Sequence, residues 1–165
     1  MTDESSLISR IERASHALHT SHLDDLVSVH ACLEIVDSIF LDYRCTLTDN
    51  TADLSSAALV VEGPELGLDL ELGDIEVEIS KNGEPLASAR GEAALGHPLL
   101  GVVWLSEHLA ALERRVDAGQ LIITGGLTRA FALDRGDQIS GRFGERTEVA
   151  IARATTGDRV ETSIG

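Results

Sequence analysis

The stretch Leu33-Glu34-Ile35-Val36-Asp37-Ser38 places an acid among apolar and β-branched residues. A short run of this kind is typical of a buried strand. Because an isolated carboxylate is costly to remove from water, we expect Glu34 to be buried with a partner. One reading is a structural acid bonded to backbone amides or to an arginine such as Arg44 or Arg90. The other is an acid that transfers protons to a substrate in apolar surroundings.

The bulk composition predicts a globular protein with a single hydrophobic core. The chain has 165 residues, of which 43% are hydrophobic and 25% are charged, as in ordinary globular domains. The polar start Met1-Thr2-Asp3-Glu4-Ser5 does not resemble a secretory signal, so we expect a cytoplasmic protein. The net charge of −15 argues against nucleic acid and membrane partners, since both require a basic surface.

Cysteine and lysine usage narrows the possible chemistry. Cys32 and Cys45 lie in apolar sequence, and we read them as buried thiols of a reducing compartment, with a disulfide as the alternative. The single lysine, Lys81, precedes Asn82-Gly83, a dipeptide typical of a tight hairpin turn. A lysine at a turn is solvated, which argues against Schiff-base and lysine general-base catalysis.

Hydrophobic periodicity predicts an α+β fold with many strands. We expect an N-terminal helix within residues 1–22, a β-rich body over 26–154 and a frayed tail over 155–165, forming one domain. The clearest helix starts at His97-Pro98 and ends before Gly119. Residues 48–53 have loop chemistry. Predicted strands cover the ranges 26–29, 32–38, 57–61, 65–80, 85–90, 121–124, 130–133, 138–143 and 147–154.

Five segments in one order resemble a known family. They are Leu33 to Ser38, Thr48 to Ala57, Leu95-Gly96-His97-Pro98-Leu99, Val103-Trp104-Leu105 and Gly125-Gly126-Leu127-Thr128. Together they resemble the 2-keto-4-pentenoate hydratase and 4-oxalocrotonate decarboxylase family of the fumarylacetoacetate hydrolase superfamily. The resemblance implies a mainly antiparallel or mixed β roll with one long packed helix. It also implies magnesium or manganese, held by a Glu-x-Glu pair and by the glutamate at the position of Glu34.

The same resemblance indicates the site residues. Glu34 is the candidate catalytic residue, and it is a metal ligand only if a metal is retained. Asp37, Asp53, Gly125, Gly126 and Thr128 are candidate substrate-binding residues. The alternative for both aspartates is capping of strand ends and loops, and for the Gly-Gly-Leu-Thr segment it is an ordinary β-turn.

Departures from the family pattern shape the functional prediction. The Glu-x-Glu pair and the lysine segment expected before Glu34 are not found there. We therefore predict a metal-independent isomerase, cyclase or lyase without a cofactor, acting on an enolisable, polyene or polyketide-like substrate in an apolar pocket. The alternatives are a noncatalytic subunit, or a magnesium- or manganese-dependent 2-oxo acid hydratase or decarboxylase with ligands from another chain. Pairing of exposed sheet edges predicts a homodimer.

Overall fold

A computed structural model describes residues 26–67, 71–145, 147–156 and 160–164, the last five by their backbone. The helix predicted within 1–22 lies outside these ranges. The described chain is α+β, as predicted. Its elements are β1 (Val29–Val36), α1 (Leu47–Ala52), β2 (Ala57–Leu66), β3 (Glu76–Lys81), β4 (Glu84–Arg90), α2 (Leu99–Ala111), β5 (Gln138–Phe143), β6 (Thr147–Arg153) and β7 (Val160–Ile164).

The strands form two antiparallel sheets. β1 pairs with β2 alone, while the larger sheet has the order β4-β3-β5-β6-β7. The β3–β4 hairpin turns at Asn82 and Gly83, whose φ angles are 56° and 82°. Positive φ at both central positions is the geometry that an Asn-Gly turn accommodates, so the predicted hairpin is confirmed.

The hydrophobic core lies where the small sheet packs on β6. Ala31 of β1 and Val61 of β2 are buried together with Val149 and Ile151 of β6. Gly63 permits this close approach, because a Cβ atom there would lie 2.9 Å from Cβ of Val149. One face of β1 therefore packs into the core, and the side chains on its other face can line a functional site.

Helix α2 begins where Pro98 predicts but ends earlier than expected. The Leu99 N–H donates to His97 Nδ1 over 3.3 Å. The helix ends at Ala111, and Glu113 has φ 55°. A left-handed residue cannot continue an α-helix, so the prediction that the helix approaches Gly119 is wrong.

Several further secondary-structure predictions are wrong. The predicted strand over 65–80 is interrupted, since residues 71–75 form no strand. Residues 48–52 belong to helix α1 and Asp53 is its C-cap, because Thr46 and Asp49 form a reciprocal capping box that starts the helix. The predicted tail contains strand β7, which pairs with β6. Residues 121–124 and 130–133 form no strand. In the described part of the chain, no helix is both long and apolar enough to cross a bilayer.

Candidate functional site

The two faces of β1 have different surroundings. Ala31, Leu33 and Ile35 pack into the core. The alternate side chains on this strand, His30, Cys32, Glu34 and Val36, line an open cavity. Alternation of side chains between the two faces of a strand produces this separation.

The cavity is large and its walls are mainly apolar. Its volume is about 1390 Å³, and its walls come from β1, the middle of the larger sheet, helix α2 and the segment 114–130. Val77 and Ile79 of β3 and Phe143 of β5 form the sheet wall, and Leu99 and Val102 form the helix wall. Such walls exclude water from a bound molecule and suit a largely apolar ligand with a few polar anchors.

Glu34 lies on the cavity wall, but the prediction that it is buried is wrong. Its side chain is exposed to the cavity. In the small sheet its position pairs with Val60 of β2. The run 33–38 resembles a fully buried strand because its core-facing residues are apolar. The side chain of Glu34 therefore keeps access to solvent and to any molecule that enters the cavity.

The Gly-Gly-Leu-Thr segment reaches the same cavity. Gly125, Gly126 and Thr128 all line it. The Thr128 hydroxyl donates to the Arg129 carbonyl oxygen over 3.1 Å. It therefore presents lone pairs to the cavity and must rotate before it can donate to a ligand carbonyl. The structure thus brings Glu34 together with three of the five predicted binding residues.

Asp37 and Asp53 do not belong to this lining. The Ser38 hydroxyl donates to Asp53 Oδ2 over 2.7 Å, and the Ile39 N–H donates to the same oxygen over 3.3 Å. Asp37 accepts the Ser38 N–H over 3.0 Å. These contacts fix the chain where β1 ends, which is the capping role given above as the alternative. A substrate-binding role for Asp37 and Asp53 remains a prediction.

A polar cluster on the cavity wall was not predicted from the sequence. Ser28 Oγ lies 3.0 Å from His30 Nε2, and His30 Nδ1 lies 3.0 Å from the Gly63 carbonyl oxygen and 3.3 Å from Glu62 Oε1. Ser28, His30 and Glu62 all line the cavity. The sequence signal for this cluster is the spacing of Ser28 and His30, because residues two apart on an extended chain point to the same side. Glu62 joins them through the β1–β2 pairing, which a single sequence does not specify.

Cys32 lies on the same wall but is not a reactive thiolate. Burial raises the pKa of the Cys32 thiol, and the nearby carboxylates of Glu34 and Glu62 raise it further. The group therefore stays protonated near neutral pH, which makes it a poor nucleophile and a poor metal ligand. Cys32 and Cys45 are both free and half-buried.

The described residues do not complete a cage for a metal ion. Across ranges 26–67, 71–145 and 147–156, no group of three or more His, Cys, Asp or Glu side chains could hold one. Glu34 supplies a hard oxygen ligand, but magnesium and manganese require several such ligands. This set is therefore insufficient by itself, and a divalent ion would need ligands from elsewhere.

Sequence comparison identifies related enzymes that include decarboxylases and hydratases. No family model matches the chain. It is 33% identical over 128 residues to 4-oxalocrotonate decarboxylase of Pseudomonas putida, covering 74% of this chain and 48% of the relative. It is 36% identical over 138 residues to 2-keto-4-pentenoate hydratase of Paraburkholderia xenovorans, covering 79% and 51% respectively. The chain thus spans about half the length of the curated relatives it matches.

Solved structures agree and correct one prediction. The fold is similar to 4-oxalocrotonate decarboxylase from Pseudomonas putida G7 complexed with magnesium and adipate. The TM-score is 0.67 at 32% identity, covering 74% of this chain and 47% of the other. A second structure of that enzyme, complexed with calcium and acetate, has a TM-score of 0.66 at 32% identity, covering 77% and 48% respectively. Since these relatives hold a divalent ion, the prediction of a site without a cofactor is wrong.

The order of the motifs, the sequence identity and the shared fold all lead to the same assignment. The chain is a diverged member of the 2-keto-4-pentenoate hydratase and 4-oxalocrotonate decarboxylase family.

Proposed function

We propose that this chain contributes one wall of a lyase site that acts on an unsaturated 2-oxo acid with a divalent metal ion. The observation that carries the proposal is the convergence of Glu34, Gly125, Gly126 and Thr128 on one cavity. The relatives supply the reaction class, which is hydration of a 2-keto-4-pentenoate or decarboxylation of 4-oxalocrotonate. Magnesium or manganese is the proposed ion, since both prefer oxygen ligands.

The residues of this chain would bind and orient the substrate. Glu34 offers a carboxylate to the ion, and the exposed amides of Gly125 and Gly126 offer donors to a substrate oxygen. The apolar sheet wall would hold the unsaturated carbon chain. Asp37 and Asp53 would act through the loop after β1, whose Ser38 and Ile39 they hold in place.

The remaining metal ligands would come from another polypeptide chain, because the described residues supply too few. In this arrangement the two antiparallel sheets and α2 form part of the β roll expected of the family. A noncatalytic subunit is the second candidate function, and the incomplete ligand set is the observation that favours it.

We also propose that the chain forms a homodimer. Between β1 and β2 the segment 39–54 exposes large apolar side chains, and Leu41 and Leu47 are 84% and 82% exposed. Burial of such a patch in an interface is favourable. Sedimentation velocity should show a dimer, and replacement of both leucines by serine should shift it to a monomer. A monomeric unmodified protein would contradict this part of the proposal.

The activity is tested by incubating the protein with magnesium or manganese and either 2-oxo acid, and by measuring substrate loss. We expect metal-dependent turnover that falls about 10- to 100-fold in Glu34→Gln, because the ion would lose a carboxylate ligand. Glu148→Gln is the matched control, since Glu148 is exposed on β6 and does not line the cavity. Absence of turnover with either metal would contradict catalysis by copies of this chain alone and would favour the noncatalytic subunit.

A further inference from the structure

We propose that Ser28, His30 and Glu62 form a second reactive centre in the cavity, with Ser28 as a nucleophile for acyl transfer. It is distinct from the proposed lyase chemistry and requires no metal ion. The observation is a continuous set of contacts from the serine hydroxyl through the imidazole to a carboxylate. Ser28 Oγ lies 3.0 Å from His30 Nε2, and His30 Nδ1 lies 3.3 Å from Glu62 Oε1.

The Gly63 carbonyl sets the tautomer of the imidazole. It lies 3.0 Å from His30 Nδ1, and a carbonyl oxygen can only accept a hydrogen bond. Nδ1 therefore carries the proton, and in the neutral ring Nε2 has a free lone pair. The Ser28 hydroxyl must then donate to Nε2, which is the arrangement that increases the nucleophilicity of a serine.

Glu62 and Gly63 contribute differently to this arrangement. The Glu62 side chain is 53% exposed, whereas that of His30 is 25% exposed. Solvent screens the attraction between an exposed carboxylate and an imidazolium, so Glu62 stabilises the charged ring only in part. The backbone carbonyl of Gly63 belongs to β2, next to the core, and it holds the ring in a fixed orientation. Glu62 is therefore a positioning residue rather than a catalytic one.

The reaction that this geometry supports is hydrolysis of an ester or thioester. Ser28 Oγ forms a bond to the carbonyl carbon while its proton moves to His30 Nε2. The bond to the leaving alcohol or thiol breaks, and that group departs with the proton from His30. A water molecule then attacks the acyl-serine and gives a proton to His30. The bond between the acyl carbon and Ser28 Oγ breaks, His30 returns that proton to Ser28 Oγ, and the carboxylic acid is released.

The cavity indicates the substrate class. Its apolar walls and volume of about 1390 Å³ suit an acyl group with a bulky hydrocarbon part. Cys32 lies on the same wall, but the hydroxyl of Ser28 is the group in contact with His30 Nε2. We therefore assign esters or thioesters of apolar carboxylic acids to this centre.

The test treats the whole protein with a fluorophosphonate probe in the presence of EDTA, with no 2-oxo acid. Intact mass and peptide mapping then identify the modified residue. We expect one adduct, on Ser28, in the unmodified protein. Because the assay contains neither metal nor lyase substrate, its result is independent of the proposed lyase activity. No adduct, or an adduct on another serine, would overturn the proposal without any variant being made.

Variants then test the role of the imidazole. His30→Gln should slow labelling about 100-fold, since a positioned base contributes 10²–10⁴-fold, and Glu62→Gln should slow it only several-fold. Ser106→Ala is the matched control, because Ser106 also lines the cavity. In that variant Ser28 should be labelled at the same rate as in the unmodified protein. Circular dichroism checks that each variant is folded. Labelling of Ser28 at an unchanged rate in folded His30→Gln would contradict the proposed activation.

Discussion

Lys81 and Asp137 are connected by a set of short polar contacts next to the β3–β4 turn. Lys81 Nζ lies 2.6 Å from Asp137 Oδ2 and donates to the Ala132 carbonyl oxygen over 2.8 Å. Asn82 Nδ2 donates to Asp137 Oδ1 over 2.9 Å, and the Asp134 N–H donates to Oδ2 over 2.8 Å. These donors, with the Lys81 ammonium the strongest, lower the pKa of Asp137 to about 2. The hairpin lysine is therefore a structural cation.

This pair predicts a specific acid sensitivity. The pKa of Asp137 falls from its usual 3.8 in the unfolded chain to about 2 in the folded state. Its stabilising contribution is therefore complete above about pH 4 and is lost as the pH falls towards 2. The melting temperature of Asp137→Asn should be lower than that of the unmodified protein at pH 7, with little difference at pH 2.

Asp134→Asn is the control for this comparison. Asp134 Oδ2 lies 3.7 Å from Lys81 Nζ and its side chain is 80% exposed, so its removal should have a smaller effect at pH 7. If the effect of Asp137→Asn were equally large at pH 2 and pH 7, the ionised pair would not be its cause.

The sequence selected several residues that share one cavity, but it did not predict their surroundings. Glu34, Gly125, Gly126 and Thr128 were selected from the sequence, and all four line one cavity. The burial of Glu34 was predicted wrongly, because local sequence does not reveal that the second face of β1 opens onto a cavity. The contact of His30 with Glu62 depends on strand pairing across more than thirty residues, and no local pattern encodes it.

At the scale of elements, β6 connects the two sheets and should dominate stability. Ile151 is 1% exposed and belongs to the core cluster between them. Ile151→Ala should lower the free energy of unfolding by roughly 2–5 kcal/mol, whereas Ile151→Val should lower it by only about 0.5–1.5 kcal/mol. Urea denaturation measures both values. Thr155→Ala, at an exposed position, is the control, and equal losses for the two Ile151 variants would contradict this account.

Strong local signals predicted the elements correctly, and weak ones did not. The Asn82-Gly83 hairpin and strands β5 and β6 were predicted, since their turn chemistry and alternation are clear. Helix α1 was read as a loop because polar residues dominate it, although the Thr46 and Asp49 caps favour a helix. Residues 121–124 have the composition of a strand but no pairing partner in the structure, and pairing is a tertiary property.

At the scale of the whole molecule, the chain combines a family fold with a partial site. The match to a solved decarboxylase structure covers 74% of this chain but only 47% of that enzyme. Its cavity is lined by Glu34 and by three further carboxylates, Glu62, Glu107 and Asp117, but no three His, Cys, Asp or Glu side chains of the described residues are placed to hold a metal ion together. The residues that the structure describes therefore need further oxygen ligands from elsewhere, such as the substrate, to hold a divalent ion.

Direct measurement of manganese binding tests this claim. The electron paramagnetic resonance signal of free Mn²⁺ is recorded during titration with protein in the presence of a nonreactive dicarboxylate such as adipate. We predict that the unmodified protein depletes the free Mn²⁺ signal, and that Glu34→Gln weakens binding by at least ~10-fold, as loss of a ligand or its support typically does. Glu148→Gln should bind as the unmodified protein does. An undiminished free Mn²⁺ signal, or equal binding by Glu34→Gln, would contradict the account.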